Sequence, residues 1–144
     1  MKIKELSLKN NFELVTIHAD ARVSNAVALM NQHNIGALPV CNSSGELIGI
    51  ISERDVVRCL SESRLGVDGL TVEKLMTSDV QTCSPDDDIN EIIVAMEERQ
   101  IRHIPVLTAG RLCTIVSSRD ILAAALTESK SNLSNMVLAY EMVR

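Results

Sequence analysis

The sequence predicts a mixed fold of class α/β (α+β), made of duplicated β-α-β-β-α units, and three observations carry that prediction. The stretch IISERD, Ile50 to Asp55, returns almost unchanged as IVSSRD, Ile115 to Asp120. Residues 16–40 align with 82–106 at a constant shift of 66, and 45–55 align with 110–120 at a shift of 65, one residue being lost in a turn. Six identities in the first block and six in the second give twelve over about forty positions, interrupted by a single loop gap, which marks an internal repeat. Within each half, hydrophobic periodicity then changes in the same order.

The first half opens with a strand-like run, LVTI at 14–17. Val23, Ala26, Val27 and Met30 follow at helical spacing, so an amphipathic helix comes next. ALPV (37–40) and LIGIIS (47–52) read as two strands separated by the turn CNSSGE, and ERDVVRCL (53–60) returns to helix. SESRLGVDGL (61–70), with two glycines, is the predicted connection, and TVEKLM (71–76) is expected to open the second half as a short helix. That half repeats the pattern: an extended segment at Thr82 to Ser84, a helix carrying Ile89, Ile92, Ile93 and Met96, strands HIPV (103–106) and LCTIVS (112–117) around LTAGR, and a helix over SRDILAAAL (118–126). The expected division is a first repeat at 3–61, a linker at 62–71, a second repeat at 72–126 and a helical tail at 127–144. One unit of this size buries only about 60% of its unfolded surface and is marginal alone, so the two are expected to form one pseudo-symmetric body with a ligand cleft between them.

Composition narrows the function. Hydrophobic residues make up 46% of the 144, yet there is no Trp, one Tyr and one Phe, so the core is aliphatic. A formal net charge of −5 and a pI near 5.2 provide no basic field for a nucleic-acid backbone. Cys41, Cys59, Cys83 and Cys113 are far apart without a CxxC, and the three histidines are equally scattered, so no metal site is expected and the thiols read as reduced. The opening MKIKELSLKNNFELV lacks an apolar h-region, and no run approaches the roughly 18 apolar residues of a membrane span. A soluble, cytoplasmic protein is the expectation.

The repeated Ser-x-Arg-Asp admits two readings. Ser52 with Asp55, and Ser117 with Asp120, fit capping boxes, in which serine and acid satisfy orphan amides at a helix start. That leaves Arg54 and Arg119 unexplained, because a cation in the first turn opposes the helix dipole. A nucleotide accounts for all three residue types: ribose hydroxyls donate to the carboxylate, while phosphates take the arginine, the serine hydroxyl and amides at the helix start. The two readings are compatible, since an aspartate has two oxygens. Neither GxGxxG nor GxxxxGK[ST] occurs, which speaks against Rossmann and P-loop sites.

On these residues, with NIGALPV…GELIGIISERD, QIRHIPV…GRLCTIVSSRD and LMTSDVQTCSPDDDINEII, the chain resembles a pair of cystathionine-β-synthase (CBS) domains, the tandem called a Bateman module, over about residues 3 to 125. The resemblance implies disc-shaped homodimers and regulatory binding of AMP, ADP or ATP, sometimes NAD or S-adenosylmethionine, between the repeats, with no catalytic cofactor. It places the ribose-binding acid on Asp55 and Asp120, the neighbouring hydroxyl on Ser52 and Ser117, and phosphate partners on Arg54 and Arg119. It puts the base pocket on Ala37, Leu38, His103 and Ile104, and on the first strands, Thr16 to His18 and Thr82 to Ser84.

Two departures predict unequal sites: Gly49 stands opposite Thr114 in the alignment, and Gly36-Ala37 opposite Arg102-His103. His103 itself fits either a base or phosphate contact or an ordinary strand-edge histidine, and Arg102 reads as solvated. His18 and His33 read as surface residues, Met30 and Met96 as core filler. The acids of SPDDDINE (84–91) read as a helix start, with Asp88 at the N-cap and Glu91 at N3, ahead of a cation site. Leu126, Leu133, Val137 and Tyr140 fall on one helical face of the tail, which either the domain itself or a second subunit must cover, and a homodimer is expected.

The expected function is therefore a non-enzymatic regulatory module that binds an adenine nucleotide and signals to a partner in trans. The alternative is a dimeric interaction module that modulates a partner enzyme or transporter without a small ligand. A nucleotide-processing enzyme ranks third, because no base, nucleophile or metal cluster accompanies the motifs.

Overall fold

The computed structural model describes residues 1–6, 14–64, 66–128 and 140–143. The chain divides into two compact units, one made of 14–80 and the other of 1–13 together with 81–144. The repeats of the sequence and the units of packing are therefore offset.

In the unit of residues 14–80, the order is β1 (Ile17–His18), α1 (Val23–His33), β2 (Ala37–Cys41), β3 (Leu47–Ser52), α2 (Glu53–Glu62) and α3 (Val72–Leu75). β1 pairs parallel to β2, and β2 pairs antiparallel to β3. The first strand is shorter and later than the LVTI run suggests, because ladder partners exist only for Ile17 and His18, opposite Val40 and Cys41. Asn42 closes the β2–β3 turn, its Oδ1 accepting from the amides of Ser44 and Glu46, and Gly45 supplies the positive φ of 80°. α1 buries Val23, Ala26 and Met30, three of the four positions that its periodicity singled out, and Val27 is exposed. Asn34, at φ 52°, ends the helix in the left-handed region that asparagine tolerates. The core joins these residues to Ile17, Leu38, Val40, Ile51 and Val72.

α3 is the short helix expected near 71–76, but it packs on the core of the first repeat. Its amides at Val72 and Glu73 donate to the carbonyls of Ala21 and Ala19, at 2.8 and 3.0 Å. Val72 is fully enclosed. The chain then runs past β3, where Ile50 and Thr77 exchange both backbone bonds.

The unit of 1–13 and 81–144 repeats this plan with α4 (Ile89–Arg99), β4 (His103–Thr108), β5 (Arg111–Ser117) and α5 (Ser118–Glu128). The extended segment at Thr82 to Ser84 contributes a parallel bridge between Cys83 and Val106. Asp88 caps α4 as expected, accepting from the amide of Asn90 at 2.7 Å, and Gln100 ends it at φ 53°. A single 3-10 turn, Ile3–Glu5, takes the place that α3 has in the other unit. Ile3 and Lys4 donate to the carbonyls of Asp87 and Pro85, and Ile3 and Leu6 enter a core with Ile92, Met96, Ile104, Val106, Val116 and Ile121. In each unit, then, the opening segment of one sequence repeat closes the core of the other.

β4 and β5 turn through Ala109 and Gly110, both at positive φ. Five residues separate the ladder pair Cys41 and Leu47 and four separate the matching pair Leu107 and Leu112, which explains the change in repeat spacing. Of the tail face proposed for a second subunit, Leu126 and Tyr140 are exposed, and Leu133 and Val137 lie outside the described residues.

Candidate functional site

The two Ser-x-Arg-Asp motifs adopt the same geometry. In the first, the amide and hydroxyl of Ser52 both donate to Oδ2 of Asp55, at 2.8 and 3.1 Å, and the Asp55 amide returns a bond to the Ser52 hydroxyl at 3.4 Å. In the second, Ser117 and Asp120 make the same three bonds at 2.8, 2.9 and 3.2 Å. These are the capping boxes that the sequence predicts. All the hydrogen bonds seen at the two carboxylates use Oδ2, and both aspartates are half-buried, so a second oxygen on each remains for another donor.

The start of each helix is also tied to the residue that precedes β2 or β4. The Glu53 amide donates to the Gly36 carbonyl at 3.0 Å, and the Ser118 amide donates to the Arg102 carbonyl at 2.9 Å. Ala37 stands opposite Ser52 in the β2–β3 ladder, and His103 stands opposite Ser117 in the β4–β5 ladder. The structure thus brings Ala37, Ser52 and Asp55 together in one unit and His103, Ser117 and Asp120 together in the other. Arg54 and Arg119 are exposed in the first turns.

The residues proposed for the base pocket differ in exposure. Leu38 and Ile104 pair with Ile51 and Val116 and are 0% exposed in the two cores. Ala37 is nearly as enclosed, at 2%. Thr16 precedes β1 and is exposed. His18 is exposed on β1, its Nδ1 accepting from the Asp20 amide at 3.2 Å. Thr82 and Ser84 are half-buried, and Ser84 is engaged in its own turn, its amide donating to Asp87 and its hydroxyl accepting from the Asp86 amide.

A concavity of about 330 Å³ lies within the unit of residues 14–80 and contains Asp55. Arg58, Cys59, Glu62 and Ser63 of α2 and its end line it with Asp55, together with Leu75 and Thr77. The sequence reading missed these residues. Arg58, Cys59 and Glu62 were in principle visible, three, four and seven positions after Asp55 and hence on its face of the helix. Leu75 and Thr77 arrive through the pairing of Thr77 with Ile50, which no local pattern discloses.

Gly49 is explained by the same approach. A Cβ there would run into the side chain of Met76 and sit 3.1 Å from the carbonyl oxygen of Thr77. The glycine is required so that the chain bearing Thr77 can lie against β3.

All four cysteines are free thiols. Burial, with the Asp87 carboxylate nearby, pushes the Cys83 thiol up to about 11, and burial also raises Cys41. The Asp86 carboxyl is held below its ordinary value by its hydrogen bond and ion pair with Lys4, 3.0 Å away. No cluster of three or more His, Cys, Asp or Glu that could hold a metal ion occurs among the described residues, and no helix of theirs is long and apolar enough to cross a membrane.

Comparison with known proteins assigns the geometry. An uncharacterized 17.7 kDa protein of Acidianus ambivalens is 32% identical over 115 residues, 79% of this chain and 68% of that protein. L-aspartate semialdehyde sulfurtransferase of Methanocaldococcus jannaschii is 30% identical over 108 residues, which is 74% of this chain but only 20% of that much longer protein. Among solved structures, the CBS-domain containing protein ATU1752 from Agrobacterium tumefaciens superposes with a TM-score of 0.80 at 28% identity, covering 86% of this chain and 98% of that one. The CBS domain pair of protein MJ0100, in complex with 5′-methylthioadenosine and S-adenosyl-L-methionine, gives 0.76 at 26% identity, over 90% and 98%. A family model for the CBS domain matches residues 3–62 and again 72–127. The chain belongs to the CBS-domain family and carries two copies of that domain.

Proposed function

We propose that this CBS pair is a non-enzymatic regulatory module that binds an adenosine-containing ligand at its Ser-x-Arg-Asp motifs and signals to a partner in trans. The observation that carries the reading is the duplicated capping box. In each repeat a half-buried aspartate commits Oδ2 to the helix start, which leaves the other oxygen to accept from a ribose hydroxyl beside the arginine of the first turn. A carboxylate accepting from a diol makes charge-assisted bonds, about twice as strong as neutral ones. The complex of the MJ0100 pair with methylthioadenosine and S-adenosylmethionine supports an adenosine core as the common element. AMP, ADP, ATP and NAD share that core, and Asp55 and Asp120 are its anchors in this proposal, with Ser52, Ser117, Arg54, Arg119 and His103 beside them.

The protein acts as a cytoplasmic homodimer in this reading. α2 buries none of its residues and leaves Val57 and Leu60 65% and 52% exposed one turn apart, a face that a second copy would cover. A ligand shifts the regulatory equilibrium only by its difference in affinity between the two states.

Thermal unfolding with AMP, ADP, ATP, NAD and S-adenosylmethionine tests the proposal. A ligand at ~100 times its dissociation constant stabilises the fold by about 2.7 kcal/mol, a rise of several degrees in Tm. No shift with any of the five would sink it.

A further inference from the structure

We infer that Arg58 makes the first repeat the one that selects for a single phosphate on the nucleoside, a selectivity that the second repeat lacks; this rests on the adenosine-binding reading above. Asp55, Arg58, Cys59 and Glu62 occupy a stripe about 100° wide along α2, and all four line the same concavity. Arg58 lies about 4.5 Å further along the helix axis than Asp55, and Glu62 about 6 Å further than Arg58. A ribose held by its diol on Asp55 therefore directs whatever it carries at its far end along a track that meets a cation first and a carboxylate second.

The cation suits a phosphate. Arg54, the arginine of the motif, does not line the concavity. Arg58 does, and it forms no ion pair with a carboxylate among the described residues, although Glu62 is four positions on. Its guanidinium is thus available to an anionic group of the ligand, and Thr77 lines the same concavity. Glu62 limits the length of that group. A second and third phosphate would extend past Arg58 toward a like charge, so a monophosphate gains from Arg58 while a triphosphate loses part of that gain to Glu62.

The second repeat lacks the whole device. At the 65-residue shift, Ala123, Ala124 and Thr127 stand where Arg58, Cys59 and Glu62 stand in the first. Its capping box offers the same ribose anchor without the phosphate-reading stripe.

The test is calorimetric titration of the 144-residue chain carrying Asp120→Asn, so that the first repeat reports alone, with adenosine, AMP and ATP as probes. AMP is expected to bind about tenfold more tightly than adenosine, as one charge-assisted contact to an arginine implies. Arg58→Ala and Arg58→Gln should each erase that preference while leaving adenosine affinity unchanged, and Glu62→Gln should raise ATP affinity relative to AMP about threefold. Retention of the AMP preference in both Arg58 variants, or its loss in Arg54→Ala instead, overturns the inference. Failure of all three probes to bind the unsubstituted chain overturns the role of Arg58, and overturns the adenosine-binding reading itself if ADP, NAD and S-adenosylmethionine also leave Tm unchanged; adenosine binding without any preference for AMP overturns only the role of Arg58.

Discussion

Helices α2 and α5 begin alike and continue differently. Their first turns carry the same serine, arginine and aspartate, with three matching hydrogen bonds that agree within about 0.2 Å. One turn later, α2 carries Arg58, Cys59 and Glu62 in its sequence, and the matching positions of the second repeat are Ala123, Ala124 and Thr127. The strands before them diverge in the same way: Gly49 of β3 lets Met76 and Thr77 close over the sheet, whereas Thr114 occupies the matching place in β5. The difference separates what the fold needs from what a ligand reads. The capping box and the core positions recur because both units need them, and the charged stripe is present in one unit alone because the backbone does not depend on it.

The largest effects should therefore appear at positions where the units agree. Leu38 and Ile104 are matching core residues, each 0% exposed. Leu38→Ala and Ile104→Ala should each cost about 2–5 kcal/mol, read as a fall in the urea midpoint. Near-equal losses would support the shared scaffold, and a negligible loss at either position would break the equivalence.

Gly49→Thr installs the residue of the second repeat in the first. It should destabilise by about 1–3 kcal/mol, because the new side chain meets Met76 and the Thr77 carbonyl. The same experiment by thermal unfolding sharpens the contrast if Thr114→Gly costs less.

Loss of a cap comes next. Ser52→Ala and Ser117→Ala should each cost about 1 kcal/mol and equally so, since the hydrogen bonds match. A cost confined to one of them would show that the two boxes are not equivalent.

The smallest effect concerns the cysteines. Cys83, buried with its thiol raised to about 11, stays protonated at pH 8, while Cys113 is exposed. Iodoacetamide at pH 8 should label Cys113 first and leave Cys83 for last, as mass spectrometry of the peptides will show. In the unfolded chain the Cys83 thiol loses its proton near pH 9, below its folded value, so its contribution to stability is complete below pH 9 and declines as pH rises toward 11.

Much of this was legible in the sequence because its physics is local. The shift of 66 and 65 located both repeats, the 3.6-residue period picked out Val23, Ala26 and Met30, and Ser52 with Asp55 announced a helix start. The family resemblance drew Leu38 and Ile104 into the base pocket, and their full enclosure in the two cores comes from tertiary packing that the resemblance does not disclose. The non-local features were hidden. Nothing within TVEKLM tells that it seals the core of the preceding repeat, nor within MKIKEL that Ile3 and Leu6 seal the core formed by 81–128. Arg58 and Glu62 look like an ordinary i, i+4 surface pair until Leu75 and Thr77 are found lining the same concavity.

The most direct measurement is calorimetric titration of AMP into the chain carrying Asp55→Asn and Asp120→Asn together. Asparagine keeps an oxygen for the cap but removes the charge that would draw ribose hydroxyls. With circular dichroism showing the fold intact, AMP affinity should fall at least tenfold below that of the unsubstituted protein. An unchanged affinity would contradict the assignment of the two carboxylates to the sugar.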